Sequence, residues 1–360
     1  KTFANKSKAA EILDKVWKEQ PNHPGVVHYL IHSDDTAPFA QAGLDAAICY
    51  AKIAPEVPHA LHMPSHIFTR LGLWQQSIDS NVAAHAAAIA YVRKTSAPGA
   101  YDGETVHTMD YLEYAYLQTA QDHQAKQVVD ELLSFRHGDN PNLGMSYAVA
   151  AIPVRFALER RDWQTAALLS PPQIGYPLER FPWAGAMISF ARSLGLARTG
   201  DTAGAEVEIA NIKSSEDSLR EAKDAYWANQ VEVLRLGAAG ILAHVQGDDK
   251  KAVELARAAA DLDATMDKHP ATPASVLPAR ELLADLLLEL NQPAAALTEY
   301  REVLRTDPHR FRSILGEARA AKQSGDTAAA HDAYQKLVAL SKPAGPERPE
   351  LAEAKAYLTN

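Results

Sequence analysis

The sequence predicts an all-α fold, a right-handed α-solenoid of antiparallel helix pairs, and three observations carry that prediction. Apolar residues recur at i, i+3, i+4 and i+7 through most of the 360 residues. Short turns built on Gly or Asp interrupt this pattern at spacings of about 34 to 50 residues. No alternating strand pattern bounded by turns is found, which sets a βα fold aside.

The elements follow in order. "SKAAEILDKVWKEQPNHP" has the pattern of the second helix of a pair whose first helix is absent. Its apolar face, with Ile12, Leu13, Val16 and Trp17, then needs a cover, so a longer precursor or another segment over that end is expected. Further turns fall at Gly72, Asp122, Asp162, Gly200 and Gly247, where Gly or Asp stops one helix and caps the next. The last two pairs are the clearest, with turns at Asn291 to Pro293 and at Gly325-Asp326. These lie about 34 residues apart, the period of the tetratricopeptide repeat, and Ala296, Tyr300, Ala330 and Tyr334 fall where its second helix expects them. "TSAPGAYDGET" and "LSPPQIGYPLERFPWAG" read as irregular loops inserted between repeats. The expected organisation is one array over 1–360. It has an orphan helix at 1–22, a histidine-rich site region at 23–137 and further tetratricopeptide-like repeats at 138–360.

Composition narrows the function classes. A hydrophobic fraction of 47% with 22% charged residues is that of a chain that folds. The net charge of -9, with no face lined by Lys and Arg, offers no footprint for nucleic acid or an anionic membrane. No run approaches the roughly 18 apolar residues of a membrane span. The single cysteine, Cys49, lies in "AAICYAKIA" and reads as a small core residue. No phosphate-binding loop, GxGxxG, GxSxG or HExxH is present.

Histidine is where the chain is unusual. Of 14 histidines, 10 fall within the first 137 residues, where even scattering would put about five. "HPGVVHYLIHSDD" sets His28 and His32 four apart, on one face of a leading helix. In "HALHMPSHIF", His59 and His62 end a connection, Pro64 takes the first helical turn and His66 projects from it. In "HTMDYLEYAYLQ", His107 and Asp110 are three apart on the next leading helix. Leading helices of stacked pairs line the concave wall about 10 Å apart, so their side chains can meet over one site.

Imidazoles suit divalent transition metals, with Cu and Zn first and Fe after them. The expected ligands are drawn from His28, His32, His59, His62, His66, His107 and Asp110. Asp34 and Asp35 are the candidates to orient a ligand or to act as acid or base on metal-bound water. Two other readings compete: a scaffold that holds a peptide or protein partner in its concave groove, and a small-anion site at the helix N-termini. His269, Arg280 and Glu281 sit several repeats away; His269 reads as part of a positioning loop and the other two as a structural pair.

The segments "HPGVVHYLIHSDD", "PHALHMPSHIFTRLGLW", "MDYLEYAYLQ", "AIPVRFALERRDW" and "HPATPASVLPARELLADLLLE" resemble a group of bacterial tetratricopeptide-repeat proteins of largely uncharacterised function. The resemblance extends over essentially the whole chain, and its most specific part is the paired histidine segments. It implies a helical repeat fold, further N-terminal helices, and export where a leader precedes the chain, with a cytoplasmic location otherwise. It brings no reaction. The repeats depart from the usual consensus in length and lack most of the Trp-Leu-Gly signature.

Overall fold

The structure, a computed structural model, describes residues 3–138, 141–345 and 348–359. Its helices run α1 Ala4–Glu19, α2 Pro24–Asp34, α3 Leu44–Ile53, α4 Pro58–His62, α5 Pro64–Arg70, α6 Trp74–Thr95, α7 Gly103–Gln118, α8 Asp122–Ser134 and α9 Leu143–Glu159. They continue as α10 Trp163–Ala167, α11 Pro182–Thr199, α12 Thr202–Glu221, α13 Ala225–Val245, α14 Asp249–Ala264 and α15 Ala279–Glu289. The last four are α16 Pro293–Thr306, α17 Phe311–Gln323, α18 Thr327–Leu340 and α19 Pro349–Thr359. Two-residue strands, β1 Ala100–Tyr101 and β2 His137–Gly138, pair in parallel inside an otherwise all-α solenoid.

The turns explain the pairing. Asp162, Asp201, Asp248 and Asp326 each accept a hydrogen bond from the backbone N–H three residues on, which caps α10, α12, α14 and α18. The preceding helices end in a left-handed residue, Gly at 200, 247 and 325 but Ala120, Arg161, Lys223 and Asn291 elsewhere. A turn search keyed on glycine therefore finds only part of the set.

Neighbouring helices pack in sequence, while α7, α9, α11, α13, α15 and α17 also pack in a row as the inner layer. α9 is enclosed on every side: each residue from Met145 to Glu159 is buried. Charges are buried with it. Arg155 bonds Asp110 at 2.6 Å and Glu113 at 3.0 Å, and Arg310 bonds both oxygens of Glu281, at 2.7 and 3.0 Å. The last pairs then fold back onto the middle of the chain. Trp74 Nε1 donates to the His309 carbonyl at 2.8 Å, the Phe311 N–H donates to Gln118 Oε1 at 3.0 Å, and Arg348 pairs with Asp122 at 2.6 Å.

Some expectations change. Cys49 is exposed, because the buried face of α3 is Ala46, Ala47 and Tyr50, and residue 49 falls on the opposite side. Arg280 and Glu281 do not pair with each other: Arg280 reaches Glu299 on α16, whereas Glu281 faces inward to Arg310. In α1 no residue is buried; Leu13 and Trp17 lean on the α2 to α5 core and Ile12 stays 52% exposed. No described helix is long and apolar enough to cross a membrane.

One close approach sets a measurable limit. A Cβ added at Gly195 in α11 would stand 2.3 Å from the Ala167 backbone nitrogen and 2.6 Å from the Trp163 carbonyl oxygen. Backbone cannot rotate away, so Gly195→Ala is expected to lower stability by about 1–3 kcal/mol. A urea midpoint unchanged from the parent protein would show that α10 yields freely.

Candidate metal centre

Four helices bring the histidines together. α2 carries His28 and His32 one turn apart, α4 carries His59 and His62, α5 carries His66 and α7 carries His107. Pro58 and Pro64 at the first positions of α4 and α5 start two helices with a single residue, Met63, between them. Met63 keeps right-handed helical dihedrals, so His62 and His66, four apart, lie on one face.

The result is two groups of three. His62, His66 and His107 each offer a ring nitrogen within 4.8 Å of the others, and so do His28, His32 and His59. In the inner group His62 and His66 are buried and His107 is half-buried, as is the whole outer group. Their rings also touch one another, with centroids 5.3 Å apart for His32 and His66 and 6.0 Å for His59 and His62.

Hydrogen bonds assign the tautomers in the inner group. Asn81 Nδ2 donates to the Ser77 carbonyl at 2.8 Å, which leaves its Oδ1 to accept from His62 Nδ1 at 2.7 Å. Asp35 Oδ2 accepts from His66 Nδ1 at 3.0 Å. Tyr111 donates its hydroxyl proton to the Thr272 carbonyl and stands 3.1 Å from the same His66 nitrogen. Both Nε2 atoms therefore carry lone pairs, and they face each other at 3.1 Å. Two imidazole nitrogens bound tetrahedrally at 2.0–2.1 Å stand about 3.3 Å apart, so this spacing suits two ligands of one cation. His107 adds a third ring, 4.4 Å from His62 between centroids, and its buried Nδ1 has no hydrogen-bond partner.

Electrostatics agree with neutral rings. Burial holds His62, His66 and His107 well below the ordinary histidine value, and in His66 it outweighs the opposing pull of Asp35. Burial and the neighbouring His28 push His32 down to about 4. His59 is the exception: burial lowers it, but the hydrogen bond to Glu104 Oε2 at 3.0 Å and that carboxylate's charge raise it overall. Burial alone would raise Asp35, yet Lys268 at 2.6 Å, His66 and Arg70 at 3.0 Å hold it well below the usual carboxylate range. Burial brings Lys268 down to about 8 against the attraction of Asp35.

The two adjacent aspartates separate. Asp35 lies against His66, whereas Asp34 is directed at Gly43, its Oδ2 3.3 Å from where a Cβ there would sit, and does not join either triad. Asp110 stands apart too: its Oδ1 bonds Arg155 at 2.6 Å and the residue joins neither triad. Two of the helix ends available to an anion are capped from within the chain. The N-terminus of α2 is closed by His23 Nδ1 and that of α7 by Asp102, each accepting a backbone N–H.

Sequence reasoning missed Asn81, Glu104, Tyr111 and Lys268. A helical signal existed for two of them, since Glu104 and Tyr111 lie three before and four after His107 on α7. Asn81 on α6 and Lys268 in the loop before α15 reach the centre only through tertiary packing. Lys268, Arg70 and Thr272 also wall a cavity of about 600 Å³ that continues past Tyr147, Trp227 and His269.

No protein-family model matches the chain, and no curated protein matches it. Among solved structures, the chain is similar at 12% identity to the TPR domain of P58(IPK), over 99% of this chain and 94% of that one, with a TM-score of 0.29. Yeast Tom70 matches at 12% identity over 99% and 86%, with a TM-score of 0.38. The APC/C hetero-tetramer Cut9-Hcn1 matches at 11% over 99% and 93%, with a TM-score of 0.31.

Proposed function

We propose that this helical repeat protein binds a divalent transition metal, Cu or Zn foremost, through His62, His66 and His107. The observation that carries the reading is the pair of unprotonated Nε2 atoms at 3.1 Å, each fixed from behind by a hydrogen bond on its Nδ1. Two lone pairs held this close repel unless a cation lies between them, and orienting groups behind ligating imidazoles are how proteins tune such sites. The proposal includes kinship with the bacterial repeat proteins that share the paired histidine segments. Full-length untagged protein, purified without chelator and analysed for metals, is expected to hold about one Zn or Cu per chain at this triad. Below about a tenth per chain after exposure to either ion, the reading fails.

Asn81 provides a finer test. Asn81→Ala removes the acceptor behind His62, and the metal affinity is expected to fall about 10–100-fold with the helical content unchanged. Equal affinity in a competition titration would mean that His62 is not a ligand.

A protein-interaction scaffold is the second reading. The cavity beside the centre supports it: Tyr147, Tyr226 and Trp227 give it aromatic walls, and Arg70 and Lys268 share its rim with Asp263 and Asp267, which suits a peptide segment with an aromatic or apolar anchor. A partner captured by the protein, and still captured after His66→Ala, would favour this reading over the metal one.

A further inference from the structure

We propose that His28, His32 and His59 hold a second metal ion beside the first, so that the centre is dinuclear. The inference rests on the reading that the inner triad takes a metal. Three observations separate it from a chance cluster of half-buried histidines.

The outer triad repeats the construction of the inner one. Glu104 stands behind His59 Nδ1 at 3.0 Å as Asp35 stands behind His66 Nδ1 at 3.0 Å, and each arrangement turns Nε2 toward its own group of rings. Polar atoms are left over: His32 Nδ1 and Glu104 Oε1 are both buried with no hydrogen-bond partner. A buried imidazole nitrogen without a partner is costly unless it has a ligand to meet.

The spacing between the groups is the third observation. Ring centroids across the groups lie at 5.3 and 6.0 Å, within the 4.4 to 6.1 Å found inside the inner triad. Rings of the two groups are in contact, so ions at the two triads are neighbours, the arrangement that two-metal sites use. Three imidazoles leave each ion with open coordination positions, and a water or hydroxide shared between the ions fills them. As ligands all six rings are neutral, His59 giving up its extra proton on binding, and Asp35 is already paired with Lys268 and Arg70. A bridging hydroxide, together with Glu104, is then the group that offsets the charge of the pair.

The test uses the full chain stripped of metal, titrated with Cu(II), desalted and assayed for copper and for electron spin. Two coppers per chain are expected, with a spin count well below the copper count because the ions couple through the bridge. His59→Ala and the milder His59→Gln are each expected to leave one copper per chain with a full spin count. Glu104→Gln is expected to weaken the second ion about 10–100-fold and leave the first unchanged. One copper per chain in the parent protein, lost in His66→Ala and indifferent to His59→Gln, overturns the dinuclear centre while the inner site stands. Two coppers with full, uncoupled spin also overturn it. No copper at either triad removes both this inference and the reading beneath it.

Discussion

His66→Ala is expected to empty the inner triad: the metal bound falls by about one ion per chain, while the helical circular dichroism signal persists. The ring supplies one of the two lone pairs that meet at 3.1 Å and is also the link between the triad and Asp35. Its loss does not strand the carboxylate, because Lys268 and Arg70 still hold Asp35 at 2.6 and 3.0 Å. Folding and metal content should therefore come apart in this variant. His85→Ala is the matched control, since His85 pairs with Glu131 on α8 outside both triads. Metal content that drops equally in both variants would mean that the ion sits elsewhere.

Arg310→Met is expected to cost about 3–5 kcal/mol of stability, the largest single effect foreseen away from the histidines. The guanidinium is fully buried, bonds both oxygens of Glu281, lies 2.5 Å from Glu159 and donates to the Tyr114 hydroxyl at 3.2 Å. Removing it takes the guanidinium from Glu159 and leaves Glu281 only the more distant Arg161, at 3.6 Å, in a region closed to water. Much of that loss is the penalty on the stranded acids. The double variant Arg310→Met with Glu281→Leu is therefore expected to be less destabilised than the two single changes added together. Urea unfolding followed by circular dichroism reads both. A loss under about 1 kcal/mol for Arg310→Met alone would show that the acids find protons or water instead.

The fold was largely legible because its signals are local. Asp162, Asp326 and Gly325 act on the residues beside them, and the small and aromatic positions at Ala296, Tyr300, Ala330 and Tyr334 follow one helical period. Ala120 and Arg161 in left-handed turns were not legible, since such residues enter that conformation only where packing compels them. At the centre, the six histidines could be read from helical spacing within each segment, but their division into two groups depends on how α2, α4, α5 and α7 cross. Asp34 and Asp35 show the limit most sharply. They are adjacent, α2 ends between them, and past a helix end no periodicity says which one turns toward His66. Asp110 reads as a ligand beside His107, yet its Oδ1 bonds Arg155, 45 residues on, and it joins neither triad.

The return of the last pairs onto α6, α7 and α8, through Trp74 with His309, Gln118 with Phe311 and Asp122 with Arg348, changes how the molecule should come apart. An open row of repeats loosens from its tips, each unit answering only to the one beside it. Here the later units are clasped to the middle, so none of them can peel away without also breaking that clasp. Melting should then be concerted from α6 onward. Amide exchange in α17 is expected to be as slow as in α9, rather than graded toward the tail.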